Sequence, residues 1–273
     1  MKLLLPIAIA SILSLTSNTQ AAVPDFTRIV LSEQFCSEGA TFADLDGDGH
    51  QDIVSGPFWY AGPEFRQRHA YTSPKLFAIA GYSDHFFTFV ADFNNDNRPD
   101  ILAIPIPGAP AHWFQNPGDA KGTWNKHLAL SDVSNESPIF DDITGDGKPE
   151  LVCIHKGAYG YSVINSAAPA EPWQFVPITD DKGYGRFTHG MGVDDVNGDG
   201  RPDLLEKDGW WQQTSTSGEL FKFHAFPFAQ SGGSQMFAYD FDGDGDNDVI
   251  SVQNAHGWGL KWFEQRGVDG DIG

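Results

Sequence analysis

Apolar positions in this 273-residue chain fall in short runs, and past the first twenty residues none has the length or spacing of a helix. The runs return in a fixed order. A short one, such as Thr41-Phe-Ala43 or Met236-Phe-Ala-Tyr239, precedes a polar loop, and a second, such as Ile53-Val54 or Val249-Ile-Ser-Val252, follows it. A third carries paired aromatics: Phe58-Trp-Tyr60, Trp113-Phe114, Trp210-Trp211 and Trp262-Phe263. A fourth reads Trp124-Asn-Lys-His-Leu128, Trp173-Gln-Phe-Val176 or Phe221-Lys-Phe-His224. Four short strands recurring about every fifty residues predict an all-β chain, a β-propeller of four-stranded blades with five repeats visible. The run Phe26-Thr-Arg-Ile-Val-Leu31 has the pattern of a fourth strand, and Leu260-Lys-Trp-Phe263 that of a third. The first is therefore expected to complete the last blade and close a five-bladed ring, removing two open edges. A ring truncated from a seven-bladed one would carry the same pattern.

The polar loop between the first two strands is the most regular part of the repeat, returning at intervals of 45 to 53 residues. Oxygen-bearing side chains stand at its positions 1, 3, 5 and 9. They are Asp44, Asp46, Asp48 and Asp52 in the first copy, and Asp92, Asn94, Asp96 and Asp100 in the second. The third has Asp142, Thr144, Asp146 and Glu150; the fourth has Asp195, Asn197, Asp199 and Asp203; the fifth has Asp240, Asp242, Asp244 and Asp248. Ca2+ takes six to eight oxygen ligands in a flexible geometry, which this spacing suits. The backbone carbonyl at position 7 (His50, Arg98, Lys148, Arg201, Asp246) is the expected further ligand. Positions 4 and 6 are glycine except in the second copy, where Asn95 and Asn97 replace them. Asparagine is the residue next most tolerant of positive φ, so this exception follows the required backbone. Up to five structural calcium ions are expected, bound most tightly by the first and fifth loops, which bring four carboxylates each.

The formal charge of −20 adds little once the loops are recognised. They hold 17 of the 37 acidic residues at ligand positions, and the remaining 20 nearly balance the 17 Lys and Arg. No basic stripe exists to meet phosphate, so nucleic acid is not an expected partner. Lys2, the apolar run Leu3–Leu15 and the stretch ending Thr-Gln-Ala-Ala read as a secretory signal peptide over residues 1–22, cleaved after Ala21 or Ala22. The expected mature domain is residues 23–273, secreted to the periplasm or the extracellular space and not membrane-spanning. Cys36 and Cys153 leave a disulfide open, although Cys153 lies in a run, Leu151-Val-Cys-Ile154, that reads as a buried strand.

Taken together, the five loops and their strands resemble the FG-GAP/VCBS repeat family, whose calcium loops match those of integrin α-subunit propellers. The resemblance covers roughly residues 26–266. It implies blades in which the loop joins the first two strands at one end, so that residues before the first strand and after the second emerge at the other. Glu38, His85, Glu136 and His189 precede first strands, while His155 with Lys156, Lys207 with Asp208, and His256 with Trp258 follow second strands. Imidazoles and carboxylates meeting at a mouth could hold Zn2+ or another divalent metal, or serve as acid and base. Trp258 could stack on a sugar. The recurring third-strand aromatics, Trp113 and Trp262 among them, read as packing residues, and His69, His127 and His224 as rim residues.

These readings predict an exported calcium-binding propeller that binds a saccharide or an extracellular protein, with His155, Lys207, His256 and Trp258 as ligand-binding candidates. The alternative is a metal-assisted sugar lyase, in which His189 and His85 with Glu38 or Glu136 hold the metal. His189-Gly-Met-Gly-Val-Asp-Asp-Val-Asn-Gly-Asp-Gly200, leading to Lys207-Asp-Gly-Trp-Trp211, is similar to the propeller of fungal aldos-2-ulose dehydratases, which remove water from oxidised sugars. A third reading is a purely structural module.

Overall fold

The computed structural model describes residues 25–119, 121–214 and 221–267. The expected signal segment, residues 1–22, lies outside the described residues. The chain divides into Met1–Val30 and Leu31–Gly273. In the first unit, residues 25–30 form no strand, so the expected pairing of Phe26–Leu31 as a fourth strand is not observed.

The second unit is all-β among the described residues. Its first sheet orders β1 (Ala40–Ala43), β2 (Asp52–Ser55), β3 (Phe58–Tyr60) and β4 (Arg68–Ala70). The second holds β5 (Phe87–Ala91), β6 (Asp100–Ile104), β7 (Ala109–Gln115) and β8 (Asn125–Val133). The third holds β9 (Ile139–Asp141), β10 (Glu150–His155), β11 (Ala158–Val163) and β12 (Gln174–Pro177). The fourth holds β13 (Met191–Asp194), β14 (Asp203–Glu206), β15 (Gly209–Gln213) and β16 (Phe221–Ala225). The fifth has three strands, β17 (Phe237–Tyr239), β18 (Asp248–Val252) and β19 (Leu260–Phe263). Each sheet is an antiparallel meander in sequence order, which is the strand order of a propeller blade.

The second strand of each blade explains why the sheets stack. β6, β10 and β14 are buried at every residue, so each needs cover on both faces. Neighbouring blades supply it. Leu45, Val54 and Trp59 of the first blade pack with Ile101, Ala103 and Phe114 of the second. Val196, Leu205 and Trp210 of the fourth likewise meet Met236, Ala238 and Val249 of the fifth. Each buried third-strand tryptophan removes ~200 Å² from water and contributes on the order of 4 kcal/mol before entropy is counted. Cys36 and Cys153 are buried in different clusters and unpaired.

First strands lie side by side from blade to blade, β1 with β5, β9 with β13 and β13 with β17. The backbone just ahead of them is joined across blades. Gly39 N–H donates to His85 O (3.1 Å), Glu136 N–H to Thr188 O (3.1 Å), and Met236 N–H to Met191 O (2.8 Å). This row of linked segments, at the end of the blades opposite the acidic loops, carries the residues singled out as a mouth.

Candidate functional site

The acidic loops share one conformation. Gly47 and Gly49 take φ of 76° and 90°, and Asn95 and Asn97 take 58° and 64° at the same positions. The position-1 carboxylate accepts backbone N–H groups from inside its own loop: Asp44 from Gly47, Asp48 and Gly49, and Asp195 from Asp199 and Gly200. Oxygens of Asp44, Asp46 and Asp48 lie within 4.8 Å of one another, as do those of Asp142, Asp146 and Glu150, and of Asp240, Asp242 and Asp244. In the second and fourth loops the position-7 side chains turn back: the Arg98 guanidinium pairs with Asp96 and that of Arg201 with Asp199. These two loops therefore carry a countercharge of their own.

Position 9 stands apart. Asp52, Asp100, Asp203 and Asp248 are completely or almost completely buried. In three of them each carboxylate oxygen accepts a different backbone N–H. Asp203 takes Val196 N–H at 3.0 Å and Gln213 N–H at 2.8 Å, and Asp100 takes those of Phe93 (3.1 Å) and Asn116 (2.8 Å). Asp52 does the same with Leu45 and Gly62. These acids tie the loop to the end of the third strand, a task the spacing did not reveal. Burial pushes Asp100, Glu150 and Asp203 up to about 7 despite those hydrogen bonds. The donor set fits a hard dication, and the buried, unpartnered oxygens Asp246 Oδ1 and Asp248 Oδ2 of the fifth loop suit added positive charge.

A buried amide was also missed. Asn116 Nδ2 donates to Leu45 O (2.8 Å), and Gln213 Nε2 to Ile143 O (2.5 Å). Gln265, its amide turned to donate, reaches Val196 O at 2.9 Å. Each acceptor is the position-2 residue of the preceding blade's loop, so loop and neighbouring blade are latched together. The signal was available: an Asn or Gln stands two residues after each of the pairs Trp113-Phe114, Trp210-Trp211 and Trp262-Phe263.

At the opposite end the structure sorts the mouth candidates. Glu136 Oε2 stands 3.2 Å from His189 Nδ1, and the His189 and His256 rings meet edge-on with centroids 4.9 Å apart. Donor atoms of these three residues all lie within 4.8 Å of one another. Glu38 and His85 do not join them. Glu38 accepts from Ser83 N–H (3.0 Å) and from the Ser83 hydroxyl. His85 is buried, edge-on to Tyr71, with neither ring nitrogen hydrogen-bonded; burial lowers it to about 4. Lys207 pairs with Asp208, and Trp258 is almost wholly exposed.

His155 sits elsewhere. Its Nδ1 lies 3.0 Å from both the carboxylate and the carbonyl oxygen of Asp132, and its ring leans on Phe175. It lines a cleft with Lys156, Phe175, Thr179, Asp180 and Asp181. The rim histidines 69, 127 and 224 stack on Trp59, Trp113 and Trp210 across the third and fourth strands. Trp262, at the same blade position, is half-exposed, its sheet having no fourth strand among the described residues; the packing expected of it is not made there.

Residues 92–153, spanning the second and third acidic loops, match the family model of the FG-GAP-like repeat. That matched segment is an FG-GAP-like repeat. Among solved structures, this chain is similar to a lectin of Agrocybe aegerita that recognises non-reducing terminal N-acetylglucosamine, with 22% identity and a TM-score of 0.52. The match covers 86% of this chain and 64% of the lectin, so the chain spans somewhat less than two thirds of that protein's length. A rhamnogalacturonan lyase of Bacillus licheniformis matches with 15% identity and a TM-score of 0.47, over 86% of this chain and 49% of the lyase. At these identities the lectin likeness speaks to the propeller fold. A search of curated proteins returned no match. Among the described residues no helix is long and apolar enough to cross a membrane.

Proposed function

We propose that this chain is an exported, calcium-pinned propeller that binds a saccharide. The observation that carries the reading is the cleft at His155. Sugar sites combine a ring face with a few fixed polar groups. Phe175 and His155 offer the faces, Asp132 fixes the imidazole, and Lys156, Thr179, Asp180 and Asp181 supply charge and hydroxyl groups. The fold shared with the N-acetylglucosamine lectin supports this reading. Calcium would be held by the acidic loops at the far end of the blades, where it neutralises carboxylates that burial makes hard to ionise and couples ion binding to folding. A glycan array probed in the presence of calcium tests the saccharide. Retention of a glycan class by the wild-type protein, with at least about tenfold weaker retention by His155→Ala, is expected. No retained glycan, or an unchanged profile in that variant, would remove this reading.

A further inference from the structure

The Glu136–His189–His256 group calls for an account separate from that of the acidic loops. Its three side chains come from three blades. Glu136 precedes β9, His189 precedes β13, and His256 follows β18. The backbone beneath them is held firmly. Asn135 bridges Thr188, Glu136 N–H donates to Thr188 O, and Phe187 N–H donates to Ser134 O at 2.9 Å. On the other side Ala255 N–H donates to Gly232 O at 3.1 Å. Gly232 presses so closely on His189 that an added Cβ would stand 2.4 Å from the His189 carbonyl oxygen. Glu136 and His189 are mostly covered, and His256 closes the group from the solvent side.

The donor chemistry differs from that of the loops. Two imidazoles and one carboxylate suit borderline divalent ions, whereas all-oxygen loops suit Ca2+. Metal–ligand bonds of about 2.0–2.1 Å set neighbouring donors of a tetrahedral site about 3.3 Å apart. The 3.2 Å between Glu136 Oε2 and His189 Nδ1 already matches that edge. The His155–Asp132 pair gives the contrast. There the carboxylate also accepts the Ser134 hydroxyl (3.0 Å), and its imidazole belongs to no three-donor group among the described residues.

We propose that Glu136, His189 and His256 form a Zn2+ site with three protein ligands and a fourth position open to solvent. This site is independent of the saccharide reading and distinct from the acidic loops. Three ligands with an open position is the arrangement that leaves zinc able to bind water or a ligand oxygen.

The test is zinc titration calorimetry on the full chain held in millimolar calcium, so that the acidic loops are occupied, together with Co2+ absorption spectroscopy. The proposal expects one Zn2+ per chain that calcium does not displace, and the intense visible bands of four- or five-coordinate Co2+. His256→Ala, at an exposed position that leaves folding intact, should weaken zinc at least about tenfold; His189→Ala should weaken it further. Zinc affinity unchanged in both variants would place the ion elsewhere and overturn the proposal. So would the absence of zinc binding in calcium, or the weak bands of six-coordinate Co2+.

Discussion

Asp203 and His85 are two buried ionisable residues that do opposite things to stability. The carboxylate of Asp203 satisfies two buried N–H groups at once, so its loss would matter even with no ion in the loop. Hydrogen bonds to charged groups are worth about 1.5–3 kcal/mol, and orphaned donors add their desolvation cost. Asp203→Ala should therefore lower the unfolding free energy by roughly 2–4 kcal/mol in chelator, measured by urea denaturation. A loss seen only with calcium present would mean that the residue acts solely as a ligand. His85 is held neutral by burial, with Asp84 raising its pKa and Lys126 and Lys75 lowering it. A histidine lowered to about 4 contributes stability that is present above its unfolded value of about 6.5 and lost as pH falls toward 4. Between pH 7.5 and 5 that loss is about 2 kcal/mol. His85→Leu should reduce the acid-induced drop by about that much. An identical pH profile in the variant would show that His85 is protonated in the folded protein.

Among the elements, the tryptophan series offers an internal comparison. Trp113 is buried between blades and stacked on His127, whereas Trp262 sits at the same blade position with its face half open. Trp113→Ala should cost about 3–5 kcal/mol and Trp262→Ala no more than about 1.5. Equal costs in thermal unfolding would mean that Trp262 is covered in solution. The repeat made most of this architecture legible: loop spacing, paired aromatics and apolar runs gave the four-strand blade and its order, and the runs named from the sequence at β1–β3, β7, β8, β10, β12 and β15–β19 lie on strands, whereas Phe26–Leu31 does not. Asn95 and Asn97, predicted left-handed from their place in the loop, are so. What stayed hidden was contact across blades. The amide latches of Asn116 and Gln213 join residues about 70 positions apart, and local pattern carries no sign of such a partner. The mouth was half legible for the same reason. The repeat put Glu136 and His189 in equivalent places, but only packing could show that His256 joins them while Glu38 and His85 turn to other partners.

For the molecule as a whole, loops and blades form one mechanical system. The position-9 acids Asp52, Asp100, Asp203 and Asp248 tie their loops to the ends of their own third strands, and the position-2 carbonyls of Leu45, Ile143 and Val196 tie theirs to the next blade. An ion that orders a loop thereby stiffens the joint between two sheets, so calcium should act on global unfolding and not on loops alone. Its removal should leave clustered carboxylates repelling one another in a chain of formal charge −20. The most direct measurement is calcium stoichiometry by calorimetry on chelator-treated protein, paired with thermal unfolding of the same samples. Several ions per chain, up to five, and a single cooperative transition that rises by at least about 10 °C on saturation are the predicted result. No calcium bound, or bound calcium with an unmoved transition, would contradict the account of the loops as pins between blades.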